Sequence, residues 1–143
     1  MKTLMTPPTQ VIRKWHTLDA NGQILGRLAV QAANLLRGRH RVDWSPQVDM
    51  GDGVTIINAA KIRVTGPSKM KLKTYQAYSG YPSGQKSESL EHLLQRQPTE
   101  VIRHAVRGMV PNTVVGRHAL RRLRVFAEGP ATTVKAKRNA KKD

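Results

Sequence analysis

Residues 14–38 read KWHTLDANGQILGRLAVQAANLLRG, and the fold class turns on this stretch. Lys14 to Asp19 sets Trp15 and Leu18 among β-compatible residues, which predicts a first strand. Ala20-Asn21-Gly22 supplies turn chemistry. Leu25, Leu28, Ala29, Ala32, Leu35 and Leu36 then recur at steps of three and four residues. Arg27, Gln31, Asn34 and Arg37 fall on the other side, so the stretch is an amphipathic helix with one apolar stripe. Gly38 stops it, as glycine does at helix C-termini. Val54-Thr55-Ile56-Ile57-Asn58 follows Gly51-Asp52-Gly53 as a nearly continuous β-branched run, the pattern of a strand covered on both faces. Strand, helix, strand in that order predicts a small α/β sheet with right-handed crossovers.

Further along, Lys61-Ile62-Arg63-Val64-Thr65 alternates apolar and polar residues, which predicts a half-exposed strand ended by Gly66-Pro67. Ser68 to Ser87 has no period and reads as a long basic loop; loops of that length are usually functional or disordered. Ser87 is placed to cap a helix carrying Leu90, Leu93 and Leu94, with Glu88 and Glu91 near its positive end. Pro98 opens another helix, where its missing N–H costs nothing. Val101, Ile102, Ala105, Val106 and Met109 line one face of it, Arg103 and Arg107 lie elsewhere, and Gly108 marks the exit. A short helix is predicted near Gly116 to Leu123 and a last strand over Leu123 to Ala127. The chain thus divides into an irregular lead (1–13), one α/β domain (14–129) and a basic, flexible tail (130–143).

The 143 residues carry 25 Lys and Arg against 9 Asp and Glu, a formal net charge of +16. Leu, Ile, Val and Phe make up about 22% of the chain, just above the roughly 20% below which high charge means disorder. Only two Trp, three Tyr and one Phe are present, so the core is aliphatic. Without cysteine there is no disulfide framework, cysteine zinc site or thiol nucleophile. No apolar run approaches the roughly 20 residues that span a bilayer, and Met1 to Trp15 lacks a signal peptide's apolar stretch, so a cytoplasmic location is expected.

The charge is segregated. From Lys61 to Lys86 there are six basic residues and no acid, and from Val101 to Ala127 six arginines and no acid. Blocks of one sign repel one another, and a polyanion relieves that repulsion. A membrane surface would be met by a basic amphipathic helix with a bulky apolar face, which the sequence lacks. Nucleic acid is the expected partner. In the 68–87 loop, Lys69, Lys71 and Lys73 on one side and Lys86 on the other flank Tyr75, Tyr78 and Tyr81, joining phosphate-neutralising cations to rings that stack on bases. Arg117, Arg121 and Arg124 recur at i, i+4, i+7, so a helix places them on one edge with Arg122 beside it, a candidate phosphate clamp. Lys14, Arg37, the Arg39-His40-Arg41 hook, Arg107 and the tail residues Lys135 and Lys137 complete the expected RNA-binding set.

Other chemistry is less well supported. Asn21 to Arg27 matches neither the dinucleotide fingerprint nor the phosphate-binding P-loop, and reads as a tight strand-to-helix turn. Asp49 and Asp52, with His40 nearby in sequence, suggest a metal site. Aspartates around glycine are more often turn devices, and a third ligand is not visible, so no metal or cofactor is expected. The five histidines lack ligand spacing, and Ser79 and Ser83 lack an elbow motif. A metal-dependent nuclease using Asp49 and Asp52 is the competing enzymatic reading, and a DNA-compacting protein is a third.

Taken together the residues resemble the bacterial-type large-subunit ribosomal protein thirteen family. The matching segments are Trp15 to Ala29, Leu36 to His40, Gly51 to Lys61, Ser79-Gly80-Tyr81-Pro82, Val106 to Pro111, Gly116-Arg117 and Leu123 to Phe126. The series is collinear over roughly Lys14 to Gly129. The resemblance implies a three-layer α/β/α fold around a short, mostly parallel sheet, and early binding to large-subunit ribosomal RNA beside other ribosomal proteins. It implies no catalysis, no membrane and no small-molecule substrate.

Overall fold

The computed structural model describes residues 11–66 and 68–129. Strand β1 (Trp15–Asp19) leads through a turn into helix α1 (Leu25–Arg37) and back to strand β2 (Gly53–Ile57). The two strands pair in parallel, Trp15 opposite Gly53 and Asp19 opposite Ile57. Strand β5 (Leu123–Val125) joins the far side of β2, giving a parallel sheet of order β1-β2-β5. The small α/β architecture with a mostly parallel sheet is therefore the one expected.

Register and side-chain alternation put Leu18, Val54, Ile56, Leu123 and Val125 on one face of this sheet. Helix α1 presents the predicted stripe, burying Leu25, Leu28, Ala29, Ala32 and Leu36 together with Ala33. Helix α4 (Pro98–Met109) packs against α1 and adds Val101, Ile102 and Val106. Each such branched side chain contributes roughly 1.5–3 kcal/mol on burial, so an aliphatic core of this size suffices without aromatic bulk.

Helix α1 ends in close contact with backbone. Gly38 caps the helix at φ +74, and a Cβ there would stand 2.6 Å from the Met50 carbonyl oxygen. A Cβ on Gly51 would fall on the Leu36 carbonyl. Two glycines thus let the last turn of α1 rest directly on backbone 50–51, and the Asp52 N–H donates to the Leu35 carbonyl at 3.1 Å. This close approach carries residues 39–41 to the mouth of β2.

Several sequence expectations are corrected. Lys61 to Thr65 is not a strand. Asn58 turns left-handed at φ 58, Ala59–Lys61 forms one 3-10 turn, and the only ladder contact of that stretch is a bridge between Arg63 and Ile24. Alternation there reflects Ile62 dipping into the core rather than strand pairing. The 68–87 stretch is not loop throughout. It forms a short helix α2 (Lys69–Leu72) and an antiparallel hairpin of β3 (Thr74–Tyr78) and β4 (Gln85–Ser89). The hairpin is exposed over most of both strands, so no apolar face announces it. Helix α3 (Leu90–Arg96) is capped by Ser89, whose hydroxyl accepts from the His92 N–H, while Ser87 lies in β4. Helix α5 (Val114–Arg121) begins two residues before its predicted start because Thr113 caps it, accepting from the Gly116 N–H. β5 stops at Val125, two residues before its predicted end. Pro67, the lead through residue 10 and the tail from 130, with Lys135 and Lys137, lie outside the described residues.

Candidate nucleic-acid interface

Helices α4 and α5 and the connection between them line a cleft of about 870 Å³. Each buries its apolar side, Val101, Ile102 and Val106 in one and Gly116 and Ala119 in the other, which leaves the basic residues outward. Arg107 reaches the cleft from α4, Arg117 and Arg121 from α5, with His104 and Asn112 beside them. All three arginines are exposed, and among the described residues no carboxylate pairs with them. Three like charges held on two rigid helices form a strongly positive concave surface. Asn112 is a polar group the sequence reading missed; it carries no motif and enters the cleft only through the α4–α5 connection.

The predicted arginine edge is broken up by the fold. α5 ends at Arg121, so Arg122 and Arg124 do not continue its face. Arg122 turns inward, where its Nη1 and Nη2 donate to Asp49 at 2.6 Å each, joining residues 73 apart in sequence. Only 17% of its side chain is exposed. Arg124 lies on β5 with its guanidinium 4.2 Å from the centre of the Trp15 ring, a cation–π contact across the sheet. Breaking the half-buried Arg122–Asp49 fork by Arg122→Ala is expected to cost about 1–3 kcal/mol, less than the 3–5 typical of fully buried pairs. Thermal melting checks the loss, with the salt slope of RNA binding as the contrast, since an inward-facing guanidinium leaves that slope unchanged.

At the exit of α1 the basic hook divides similarly. Arg39 is exposed and stacks 5.2 Å from the Trp44 ring, and the Trp44 indole N–H donates to the Arg37 carbonyl. His40 and Arg41 turn toward Asp52, which is 1% exposed. Asp52 Oδ2 accepts from His16 Nε2 at 3.0 Å and His40 Nε2 at 2.9 Å, while Oδ1 accepts from the Lys14 N–H at 3.1 Å and Arg41 at 3.3 Å. Burial pushes this carboxyl up, but the Lys14 N–H, the His16 bond and the charge of Arg41, joined by His40, together hold it below the usual carboxylate value. Asp52 is therefore no turn device but the buried anchor of a charged cluster. Asp49 keeps a turn role, accepting weakly from the Gly51 N–H, beside its pairing with Arg122. His16 had no signal in sequence, because its partner lies 36 residues away.

Helix α2 and the hairpin supply a third basic surface. Lys69, Lys71 and Lys86 are exposed, and so are Tyr78 and Tyr81, at 69% and 76%. Gly80 at φ +90 and Ser83 at φ +60 shape the turn that presents the two rings. Tyr75 is different: it packs against the core and in a T-shaped contact with His104 at 4.9 Å, with the Lys73 ammonium 5.3 Å from its ring centre. Tyr75 is thus withdrawn from the set of stacking residues. Lys14 is exposed at the start of β1, close to the hook it joins through Asp52.

The chain was compared with known proteins. A family model described as ribosomal protein L13 matches residues 13–132. A protein of Thermus thermophilus named large ribosomal subunit protein uL13 is 50% identical over 141 residues, covering 99% of this chain and 98% of the relative. The protein of that name from Rubrobacter xylanophilus is 45% identical over 91% of this chain and 90% of its own length. The one from Symbiobacterium thermophilum is 47% identical over 90% and 89%.

Proposed function

From the premise that this chain belongs to the ribosomal protein L13 family, we propose that it binds and organises large-subunit ribosomal RNA during early assembly. Its role is structural and ribosomal, and it is not an enzyme. It works in the cytoplasm as a part of the large subunit, beside other proteins of that particle. The observation that carries the RNA reading is the α4–α5 cleft, where Arg107, Arg117 and Arg121 converge without a neutralising carboxylate among the described residues. A fold tolerates such repulsion cheaply only when a polyanion removes it. Arginine suits phosphate, because its planar fork binds two oxygens at once. The exposed Arg39 and the lysines of α2 and β4 supply separate contacts, so several RNA segments are held against one rigid body. Tyr78 and Tyr81 offer ring faces to unpaired bases. Phosphate and shape dominate over base reading, since the edges in A-form helices are poorly accessible.

The test is binding to large-subunit ribosomal RNA across a salt series, with duplex DNA as competitor. If 6–10 phosphates are contacted, affinity falls roughly 10³- to 10⁵-fold between 50 and 200 mM salt. Salt-insensitive binding, or a preference for duplex DNA, overturns the proposal.

A further inference from the structure

The cluster at the mouth of β2 has the composition of a metal centre. Two imidazoles, from β1 and from the turn after α1, both direct Nε2 at a single oxygen of a buried carboxylate. The two rings stand edge to face at 5.7 Å between centres. One ligand atom from each of His16, His40 and Asp52 lies within 4.8 Å of the other two. Around a tetrahedral ion with ligand bonds of about 2.0–2.1 Å, neighbouring ligand atoms sit about 3.3 Å apart. The 3.0 and 2.9 Å separations fall a few tenths of an ångström short, which a small outward swing of the two imidazoles restores. We propose that His16, His40 and Asp52 form a three-ligand site for a borderline divalent cation, Zn²⁺ above all.

The surroundings fit this use. Both histidine side chains are about one-third exposed, at 34% and 33%, so the ion has a route in and water can fill its open position. The Lys14 N–H and Arg41 engage the other carboxylate oxygen, Oδ1, which fixes the plane of the carboxylate and leaves Oδ2 for the ion. Two imidazoles and one carboxylate match borderline cations, whereas all-oxygen sets suit Mg²⁺ and Ca²⁺. Proton balance is simple. Each imidazole binds the ion through the Nε2 lone pair, so the proton it donates to Asp52 in the ion-free cluster moves to Nδ1 or to solvent, and the carboxylate supplies negative charge. The charge of Arg41 opposes the cation, so the site is weaker than a cage without a neighbouring cation. Sequence points to His40 and Asp52 but hides His16, which lies 24 residues before His40. A metal there ties β1, the turn after α1 and the start of β2 together, and binding to the native state alone raises the melting temperature.

Full-length protein stripped with a chelator is titrated with Zn²⁺ alone by calorimetry, and with Co²⁺ to read the visible bands of a low-coordinate site. One ion per chain is expected, with Zn²⁺ affinity about 100-fold weaker or worse in His16→Phe and His40→Gln, since even outer-sphere changes cost 10–100-fold. His118→Gln leaves the binding unchanged. Should either ligand variant lose its circular dichroism signature, histidine ring NMR of the unaltered protein decides instead: Zn²⁺ shifts His16 and His40 and spares His92, His104 and His118. Absence of heat and colour overturns the site. So does binding that survives both ligand variants, or ring shifts confined to the other three histidines.

Discussion

Replacing Arg107, Arg117 and Arg121 together by Ala is expected to weaken binding to large-subunit ribosomal RNA roughly 10- to 10³-fold, at about 0.5–1.5 kcal/mol for each lost contact. The logarithmic salt slope should shrink by about 3 in the same titration, close to 1 for each phosphate contact removed. The fold should survive. All three side chains are exposed and unpaired with acids among the described residues, and such surface changes stay within about 0.5 kcal/mol. Removing mutual repulsion in the cleft acts in the stabilising direction as well. Filter binding across a salt series, with thermal melting as control, checks all three statements. An unchanged affinity and slope would remove the cleft from the RNA surface.

Asp52→Ala is expected to cost about 3–5 kcal/mol of stability, the loss seen when one partner of a buried charged set is removed. Against a total of roughly 5–15 kcal/mol, that is a large share. The mutant leaves Arg41, His16 and His40 facing a cavity instead of a carboxylate, and the Lys14 N–H loses its acceptor. Melting should drop by roughly 10–15 °C for a chain of this size. The effect has a definite pH dependence. The carboxyl is held below its ordinary value in the native state, so its contribution is complete above the unfolded value of about 3.9 and is lost as pH falls through the lower native value. The stability gap between wild type and Asp52→Ala should therefore narrow in acid. A gap that is small at neutral pH, or that widens below pH 4, contradicts the assignment of Asp52 as the cluster's charged anchor.

Legibility in the sequence followed the source of each signal. α1 was readable to within a residue because its stripe of Leu and Ala faces a core and its end is a glycine at φ +74. The parallel strand β2 was readable because it is buried almost throughout and has no polar alternation to confuse it. The β3–β4 hairpin was not, since strands that face water on most sides leave no period. The arginine set shows the same limit within a single motif. Spacing of i, i+4, i+7 placed Arg117, Arg121 and Arg124 on one edge, yet the helix stops at Arg121. Arg122 then faces Asp49, and Arg124 rests on Trp15. The cleft instead recruits Arg107 from another helix.

By itself, the amino-acid order determined the α/β class, the excess and segregation of positive charge, and the family, because each depends on composition, local pattern or collinear residues. Only the tertiary structure decided which cations lack a carboxylate partner among the described residues and which are paired inside. That division depends on partners dozens of residues apart, Asp49 for Arg122 and Asp52 for His16, His40 and Arg41. Charge is a property of composition, but its availability depends on which opposite charges the fold brings within a few ångströms.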